Sequence, residues 1–434
     1  MTATQFLGAF NDNLFKQLLL LICVDFSRSG SGDFQPIAMA LFAVPFVLFS
    51  GFAGYLSDRT GKRRIVVLCK VAEVAVMVLG MLAFFGGTAN PQTLVAFLFI
   101  VLFLMSTQSA FFGPAKYGIL PELFRDEDLP AANGAVQMTT FVAIIFGMAL
   151  AGFAKEWFAD QLWLVSMFCI GLAVLGTLTS LAVRRTPVAH PGLEFRPSAL
   201  AVNAEAWQIL RKDRALMGVL LISSLFWFVG GVIQQTVNDF GKRQLNWGDG
   251  RTSMLAACLG VGIAAGCILA GKLSRKRINF TLVSVGVWGI IVCLAILLWL
   301  GVTTFPVPVP VIVRTGGPIV LPPPETLWQL MLPRFHGEIP IRLAMTGVGL
   351  FAGLFVVPLQ VFMQIRPPED QKGRMIGTMN LINWIGIMLS AAFVFVCHLI
   401  LNALNLPVCW TFAAVAAILL PVGLFYRPRI DKPA

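Results

Sequence analysis

The chain has 434 residues, of which 57% are hydrophobic and only 12% are charged. A soluble domain carries about 25% charged residues, so this composition excludes an ordinary soluble fold. Twelve apolar stretches are long enough for helices that cross a bilayer, which takes about 20 residues. They are 3–26, 36–56, 65–86, 92–112, 131–154, 161–183, 215–240, 252–273, 279–303, 340–363, 375–400 and 407–426. We therefore predict an all-α membrane protein with twelve transmembrane helices.

The net charge of +11 is unevenly distributed. Of the 32 Lys and Arg residues, 22 fall in the loops and tail on the predicted side of the two termini, and 7 fall in the loops on the other side. Because basic loops remain in the cytoplasm, we predict that both termini are cytoplasmic. The basic charge is then explained by contact with anionic membrane lipid, and we expect no nucleic-acid partner.

The eight cysteines all lie in or beside apolar stretches, and none forms a C-x-x-C pair. We predict buried thiols rather than disulfides or metal ligands. The chain has no Walker loop, no dinucleotide-binding fingerprint and no metal-spaced cluster of His and Cys, so we expect no cofactor and no metal. The three histidines lack the H-x4-D spacing of acyltransferases, which argues against that class of enzyme.

The first predicted helix contains the polar stretch FNDNLFK, from Phe10 to Lys16. A charge near the bilayer centre costs about 2.5–3.5 kcal/mol on insertion scales, so it requires a role. Asp12 and Lys16 are four residues apart on one helix face, where they can partly neutralise one another. Asn11 and Asn13 add amide groups beside them. We predict that these side chains face a central cavity and bind or gate a substrate; a helix start at the interface is the alternative.

The loop after the second predicted helix reads GYLSDRTGKRR and begins at Gly54. A shorter version, GKLSRKR, begins 217 residues later at Gly271, after the eighth. Similar motifs at equivalent places predict two related halves. We predict an N-terminal six-helix bundle over 1–183, a cytoplasmic linker over 184–214 with a surface helix near 204–210, and a C-terminal six-helix bundle over 215–434. Within the latter, many prolines at 304–338 predict an extended outer loop.

The segment GPAKYGILPELF begins at Gly113, after the fourth predicted helix. We predict that Gly113 and Pro114 break the helix and leave Lys116 and Tyr117 at the mouth of a cavity. An ammonium group there would suit a phosphate. The alternative is a lysine that extends to the membrane interface, and the residues alone leave both interpretations open.

Further polar side chains interrupt the apolar stretches. Lys70 and Glu73 are three residues apart in the third predicted helix, where they form a predicted structural pair. Gln234 lies near the end of the seventh, while Asn380 and Asn383 share a face of the eleventh. We predict that the last three add a polar wall to the same cavity.

The loop pattern G-x-x-x-D-R-x-G-K-R-R resembles the signature loop of the major facilitator superfamily, and twelve spans with a central linker agree with it over essentially the whole chain. The resemblance implies two six-helix bundles related by a pseudo-two-fold axis. It also implies a cytoplasmic latch in which Asp58 pairs with loop arginines near the start of the eleventh helix. The residues of this latch are Gly54, Asp58, Arg59, Gly61, Arg63 and Arg64. The second copy has Arg275 instead of the aspartate, so we expect the latch only in the first half.

FNDNLFK and GPAKYGILPEL together resemble the lysophospholipid transporter branch of this superfamily, which includes versions fused to acyltransferase and acyl-ACP synthetase domains. In that branch a first-helix aspartate and the lysine of a G-P-x-K-Y-G segment are implicated in transport, and they match Asp12 and Lys116. The resemblance implies movement of lysophospholipid, mainly lysophosphatidylethanolamine, from the outer to the inner leaflet of the bacterial inner membrane. A basic residue of the seventh helix in that branch is Gln234 here, which leaves the headgroup open.

We therefore predict a monomeric secondary transporter that works by alternating access, with a separately encoded acyltransferase or acyl-ACP synthetase as a potential partner. A proton-coupled exporter of small molecules from the same superfamily is the main alternative, with Asp12 as proton carrier. Strict dependence on a pH gradient would favour that alternative. A non-transporting membrane protein would leave Asp12 and Lys16 at depth unexplained.

Overall fold

The structure, a computed structural model, describes residues 1–28, 34–86, 91–123, 129–185, 188, 204–274, 279–304, 329–330, 332–333, 337–367 and 372–426. Within these ranges the chain is helical apart from short turns. Most of the predicted linker and of the predicted outer loop 304–338 lies outside the described residues, so the boundaries proposed for the two halves remain predictions.

The first half is built from seven helices. They are α1 (Thr2–Arg28), α2 (Gln35–Arg59), α3 (Lys62–Gly86), α4 (Pro91–Gly118), α5 (Leu120–Leu123), α6 (Leu129–Trp157) and α7 (Trp163–Leu181). α5 is a single turn, and the other six run in alternating directions. Helices are the structure expected here because a membrane offers no water to the backbone, so each N–H and C=O must be paired within the chain.

The second half follows a short helix, α8 (Ala204–Lys212), which lies where the surface helix of the linker was predicted. The remaining helices are α9 (Arg214–Asp239), α10 (Asp249–Ser274), α11 (Thr281–Thr304), α12 (Glu338–Ile365), α13 (Lys372–Ala403) and α14 (Trp410–Phe425). A π-helical turn, Phe240–Gln244, continues α9. The twelve predicted spans thus correspond to twelve of the described helices.

The structure differs from the predicted spans at the last helix. Among the described residues, eleven helices are long and apolar enough to cross a membrane, whereas α14 has 16 residues, or about 24 Å of helix. The predicted span began at residue 407. In the structure Asn405 adopts a left-handed backbone conformation (φ 52°) and Pro407 follows it, so the chain turns before the helix begins at Trp410.

The predicted helix break at Gly113 and Pro114 is wrong, because α4 continues through Pro114 and ends at Gly118. Membrane helices tolerate an internal proline when neighbouring helices and local adjustments satisfy the freed backbone carbonyl. Pro45 in α2 and Pro358 in α12 are accommodated in the same way. Lys116 therefore lies in the last turn of a helix rather than at a break.

Each half has a large hydrophobic core of its own. The first includes Leu14, Phe15, Leu18 and Met77 and is built from the helices before the linker. The second, which includes Phe355, is built from α8 and the helices that follow it. This division supports the two-bundle architecture. We call the end of the bundles that holds Met1 and the α2–α3 turn the basic end, and the opposite end, where α1 and α6 terminate, the distal end.

A charged clamp fixes the start of the second half at the basic end. Asp213 caps α9, where its Oδ1 accepts from the backbone N–H of Leu216 (3.0 Å), while its Oδ2 accepts from Nε of Arg366 (2.8 Å). Burial opposes ionisation of this carboxyl group, but the hydrogen bonds outweigh it and hold the pKa of Asp213 below its ordinary value. The clamp is therefore charged at neutral pH and joins α9 to the end of α12.

The closest packing of helices in the second half is between α10 and α12. Gly262 and Gly266 on α10 face Gly349 and Gly353 on α12, and a methyl group at any of them would overlap backbone atoms of the partner helix. At Gly349 the overlapping atom would be the carbonyl oxygen of Leu259. Small residues spaced four apart allow such contact, which supplies the van der Waals attraction that joins helices in lipid.

We predict that Gly349→Ala lowers the melting temperature of the detergent-solubilised protein. In an open helix the same change stabilises by about 1 kcal/mol, but here the methyl group overpacks the contact at a cost of about 1–3 kcal/mol. Gly230→Ala is the matched control, since no atom lies near a methyl group at that position of α9. Equal shifts for the two variants would contradict the packing described.

Candidate functional site

The central predicted residue, Asp12, lies ten residues into α1, or about 15 Å along a span of about 30 Å. Its Oδ2 accepts a hydrogen bond from the hydroxyl of Ser109 on α4 at 2.5 Å. Lys16 is buried one turn further, with its ammonium 4.7 Å from the centre of the Phe42 ring. Among the described side chains Asp12 and Lys16 form no direct ion pair; each instead contacts a different helix of the first half.

The neighbouring residue Asn11 belongs to a separate buried network. Its Nδ2 donates to Oε1 of Glu73 at 2.8 Å, and Lys70 donates to the other oxygen of Glu73 at 2.5 Å. The side chains of Lys70 and Glu73 are almost fully buried, and the Lys70 ammonium also lies over the ring of Phe112. The predicted Lys70–Glu73 pair is confirmed as an ion pair, and it ties α1 to α3 beside Asp12.

The other predicted residues of the first half occupy different positions. The Nδ2 of Asn13 donates to the carbonyl of Ala9 within α1 at 2.8 Å, next to Gly147 of α6. Lys116 is buried in the last turn of α4, which favours an inward-facing ammonium over one that reaches the membrane interface. The side chain of Tyr117 lies outside the described residues.

The predicted residues of the second half do not all face one wall. Gln234 on α9 donates to the sulfur of Met148 on α6 at 3.9 Å and so contacts the opposite half. Asn383 on α13 is buried and accepts from Ser223 of α9 at 3.2 Å. Asn380, one turn earlier on α13, is exposed. Of these three predicted residues, only Gln234 has a described contact with the other half.

The predicted latch is described only in part. Arg59 donates to the hydroxyl of Tyr55 at 2.5 Å, and Arg63 donates to the carbonyl of Leu181 at the end of α7 at 2.7 Å. Arg64 is exposed. Gly54 and Gly61 flank these arginines at the end of α2 and in the turn to α3, whereas the side chain of Asp58 lies outside the described residues, so the latch stays a prediction.

An aromatic layer joins the halves near their middle. Phe46 of α2 stacks on Trp384 of α13, with ring centres 3.7 Å apart and planes within 6° of parallel. Phe42, which also contacts Lys16, meets the same Trp384 edge-on at 5.7 Å. An apolar layer lies next to the aromatic layer on its distal side. It consists of four buried residues, Met39, Ala43, Ile387 and Ala391. The two layers connect Lys16 to the opposite half.

A chain of buried amide groups continues the contact towards the distal end. Gln17 of α1 donates to Oδ1 of Asn238 on α9 at 2.8 Å, and Asn238 donates to Oε1 of Gln35 on α2 at 2.9 Å. Gln35 then donates to Oδ2 of Asp239 at 2.9 Å. The network alternates between the halves, so it closes the distal end of the molecule in this conformation.

Asp239 is the charged centre of that network. Nε of Arg243, one turn later, lies 2.9 Å from one of its oxygens, and Nε2 of His398 on α13 lies 3.1 Å from the other. Asp239 is fully buried; Arg243 places a positive charge beside it, and Gln35 donates a hydrogen bond to it. The sequence does not reveal this network, because pairing between residues so far apart in the chain leaves no local pattern.

Metal chemistry finds no support in the described part of the chain. Within those ranges no group of three or more His, Cys, Asp or Glu side chains is placed to hold a metal ion. The eight cysteines are free thiols.

Comparison with known proteins gives a family and several relatives. The sequence model of the Major Facilitator Superfamily matches residues 1–391. The lysophospholipid transporter LplT of Serratia proteamaculans is 29% identical over 281 residues, which are 62% of this chain and 64% of that protein, just under two thirds of its length. LplT of an Enterobacter species is 26% identical over 84% of this chain and 79% of that protein.

Solved structures agree on the fold. The nucleoside transporter NupG superimposes with a TM-score of 0.65 over 97% of this chain and 98% of that one, at 13% identity. A POT family transporter bound to a thioalcohol-conjugated peptide gives 0.66 over 98% and 94%, at 11% identity. At such identities the likeness concerns the arrangement of helices alone.

We predict that Glu73→Gln destabilises the folded protein by about 3–5 kcal/mol, because the buried Lys70 ammonium loses its counter-ion. The double variant Glu73→Gln with Lys70→Met removes both charges and should recover most of that loss. Thermal unfolding in detergent would measure both. A double variant no more stable than the single one would show that charge compensation is not the role of this pair.

Proposed function

Because the chain belongs to the major facilitator superfamily, we propose that it is a secondary transporter that moves lysophospholipid by alternating access. Two kinds of observation support this substrate. Relatives named as lysophospholipid transporters share 26–29% identity with it over 62–84% of its length. In the structure, a half-buried carboxylate at mid-span, Asp12, is held by Ser109 beside the buried ammonium of Lys16.

The position of Asp12 is the observation that carries the proposal. A lysophosphatidylethanolamine headgroup has an ammonium and a phosphate, and a cavity that receives it needs one fixed charge of each sign. Asp12 would bind or orient the ammonium, while Lys16 and Lys116 would meet the phosphate. Among the described residues the Nζ of Lys16 contacts the aromatic face of Phe42, and such an ammonium can still take a charged hydrogen-bond acceptor.

The orientation of the two ends decides which leaflets the transport path would join. We propose that the basic end faces the cytoplasm of a bacterial cell, because 22 Lys and Arg residues lie in the loops and tail assigned to it. The distal end, closed here by the Phe46–Trp384 stack and the Gln17–Asn238–Gln35 network, would then face outward. Lysolipid would enter when it opens and leave towards the inner leaflet.

Further parts of the proposal concern the latch and the partners. Asp58 with Arg59 and Arg63 would fasten the cytoplasmic side when the basic end closes. A monomer suffices, because both halves of the cavity come from one chain. A separately encoded acyltransferase or acyl-ACP synthetase would consume the lysolipid that reaches the inner leaflet.

A proton-coupled exporter of small molecules is the second candidate. The observation that favours it is the other oxygen of Asp12, Oδ1, which is buried and accepts no hydrogen bond from the described residues. Such a carboxylate can carry a proton across the membrane. Transport that stops when the pH gradient is collapsed would support this candidate.

We predict that cells expressing Asp12→Asn take up labelled lysophosphatidylethanolamine at least about tenfold more slowly than cells with the unaltered chain. The loss of a charged hydrogen-bond partner costs about 1.5–3 kcal/mol, which corresponds to about 10–100-fold. Uptake into spheroplasts is the measurement. Asp160→Asn is the matched control, since Asp160 lies exposed in the turn between α6 and α7.

Two results would decide between the candidates. Uptake no higher than in cells with empty vector, with the protein present in the membrane, would refute lysophospholipid transport and leave the exporter. Uptake by the unaltered chain that persists after a protonophore, together with loss of uptake in Asp12→Asn, would establish lysolipid transport without proton coupling.

A further inference from the structure

Four charged residues meet at the distal end, two from each half. Asp25 of α1 and Lys155 of α6 come from the first half; Lys242, in the turn after α9, and Asp249, the first residue of α10, come from the second. Lys155 lies 2.7 Å from Asp249, and Lys242 lies 2.5 Å from the same carboxylate. Both lysines also form direct ion pairs with Asp25. Each lysine thus contacts both aspartates.

The burial of these side chains makes the ion pairs necessary. The side chains of Lys155 and Lys242 are only 10% and 3% exposed, and that of Asp249 is 15% exposed. A buried ammonium without a counter-ion is strongly destabilising. Asp25, at 42%, is the side of the cluster open to solvent.

The backbones of the two halves also touch at this place. A methyl group at Gly152 of α6 would overlap Ser253 and the carbonyl of Asp249 on α10. The carboxylate of Glu156 accepts from the backbone N–H of Gly250 at 2.7 Å. The distal end therefore cannot open unless the two halves separate through this cluster.

We propose that the cluster is a second latch, at the distal end and separate from the cytoplasmic latch around Asp58. Its charges can exchange partners, so that it opens without leaving any charge unpaired. Two of its four ion pairs, Lys155–Asp249 and Lys242–Asp25, cross between the halves. The other two, Lys155–Asp25 and Lys242–Asp249, lie within one half each. When the halves separate, the crossing pairs break while each half keeps one acid and one base in contact, so each half remains neutral.

This arrangement differs from an ordinary gating salt bridge. A single pair across the halves leaves one bare charge on each side when it breaks, which opposes opening strongly in a poorly hydrated site. In this cluster, opening removes only the attraction within the two ion pairs that cross between the halves. The latch favours the closed distal end, yet the open state retains compensated charges. The proposal concerns the movement of the halves and holds for any cargo.

Two double variants test the latch, because they remove the same kinds of charge with opposite consequences. Asp249→Asn with Lys242→Gln removes the pair within the second half, so no crossing pair remains and the Lys155–Asp25 pair stays intact on opening. Asp249→Asn with Lys155→Gln leaves the crossing pair Lys242–Asp25, whose rupture would strand one charge in each half. The first should open the distal end, and the second should hold it closed.

The measurement is the distance between the halves at the distal end of the full chain in lipid nanodiscs. Spin labels would be placed by Gln161→Cys and Leu404→Cys, two exposed positions in distal turns of opposite halves, after replacement of the eight native cysteines. We expect the ratio of open to closed molecules to be at least about tenfold higher in the first variant than in the second, which corresponds to about 1.4 kcal/mol.

The outcomes distinguish this proposal from simpler roles of the cluster. Equal opening in both variants would show that the cluster acts only by the number of its ion pairs, and no change in either would show that it does not hold the distal end; both overturn the proposal. The mirror variants, Asp25→Asn with Lys155→Gln and Asp25→Asn with Lys242→Gln, repeat the comparison from the other half. They should open and close the distal end respectively, and they serve if the first pair does not fold.

Discussion

A charge buried among membrane helices must be compensated by contact, and this constraint organises the molecule. Lys70 and Glu73 neutralise one another in the first half, and Arg251 meets Glu338 in the second at 2.7 Å. Asp239 is fully buried and is contacted by Gln35 of α2, by His398 of α13 and by Arg243 in the π-helical turn after α9. Contacts of such groups with other helices, as of Glu73 with Asn11 of α1 and of Arg251 with Glu338, favour particular helix neighbours, because an isolated charge in the membrane is costly.

The contact between the halves changes character with depth, and this order suits a transporter. Near the middle it is aromatic, as at Phe46 and Trp384; then it is made of amides, as at Gln17 and Asn238; at the distal surface it is ionic. Apolar faces separate without unsatisfied hydrogen bonds, whereas amides require water or other partners once apart. The amides lie on the distal side of the aromatic layer, nearer to water, and the charges beyond them keep a partner within their own half.

The sequence predicts the helices far better than the contacts between them. Length and apolar character predict twelve spans, because a bilayer imposes both. The helix break predicted at Pro114 is wrong, because membrane helices tolerate an internal proline that would end a helix in a soluble protein. The pairing of Asn11 with Glu73, 62 residues away, leaves no periodic trace. Gln17 and Asn238 are 221 residues apart. Only pairs within one turn, such as Lys70 and Glu73, could be predicted from spacing.

That spacing has a consequence for how the chain enters the membrane. Lys70 and Glu73 are three residues apart, and Arg342 and Glu338 are four apart, so each pair can form within its own helix before any other helix is present. Such a segment partitions into lipid as a nearly neutral rod during biosynthesis. Lys155, by contrast, forms its described ion pairs with other helices: its partners are Asp25 of α1 and Asp249 of α10. The ionic contacts at the distal surface are therefore completed only after α9 and the start of α10 have been synthesised, so they form later than the pairs within single helices.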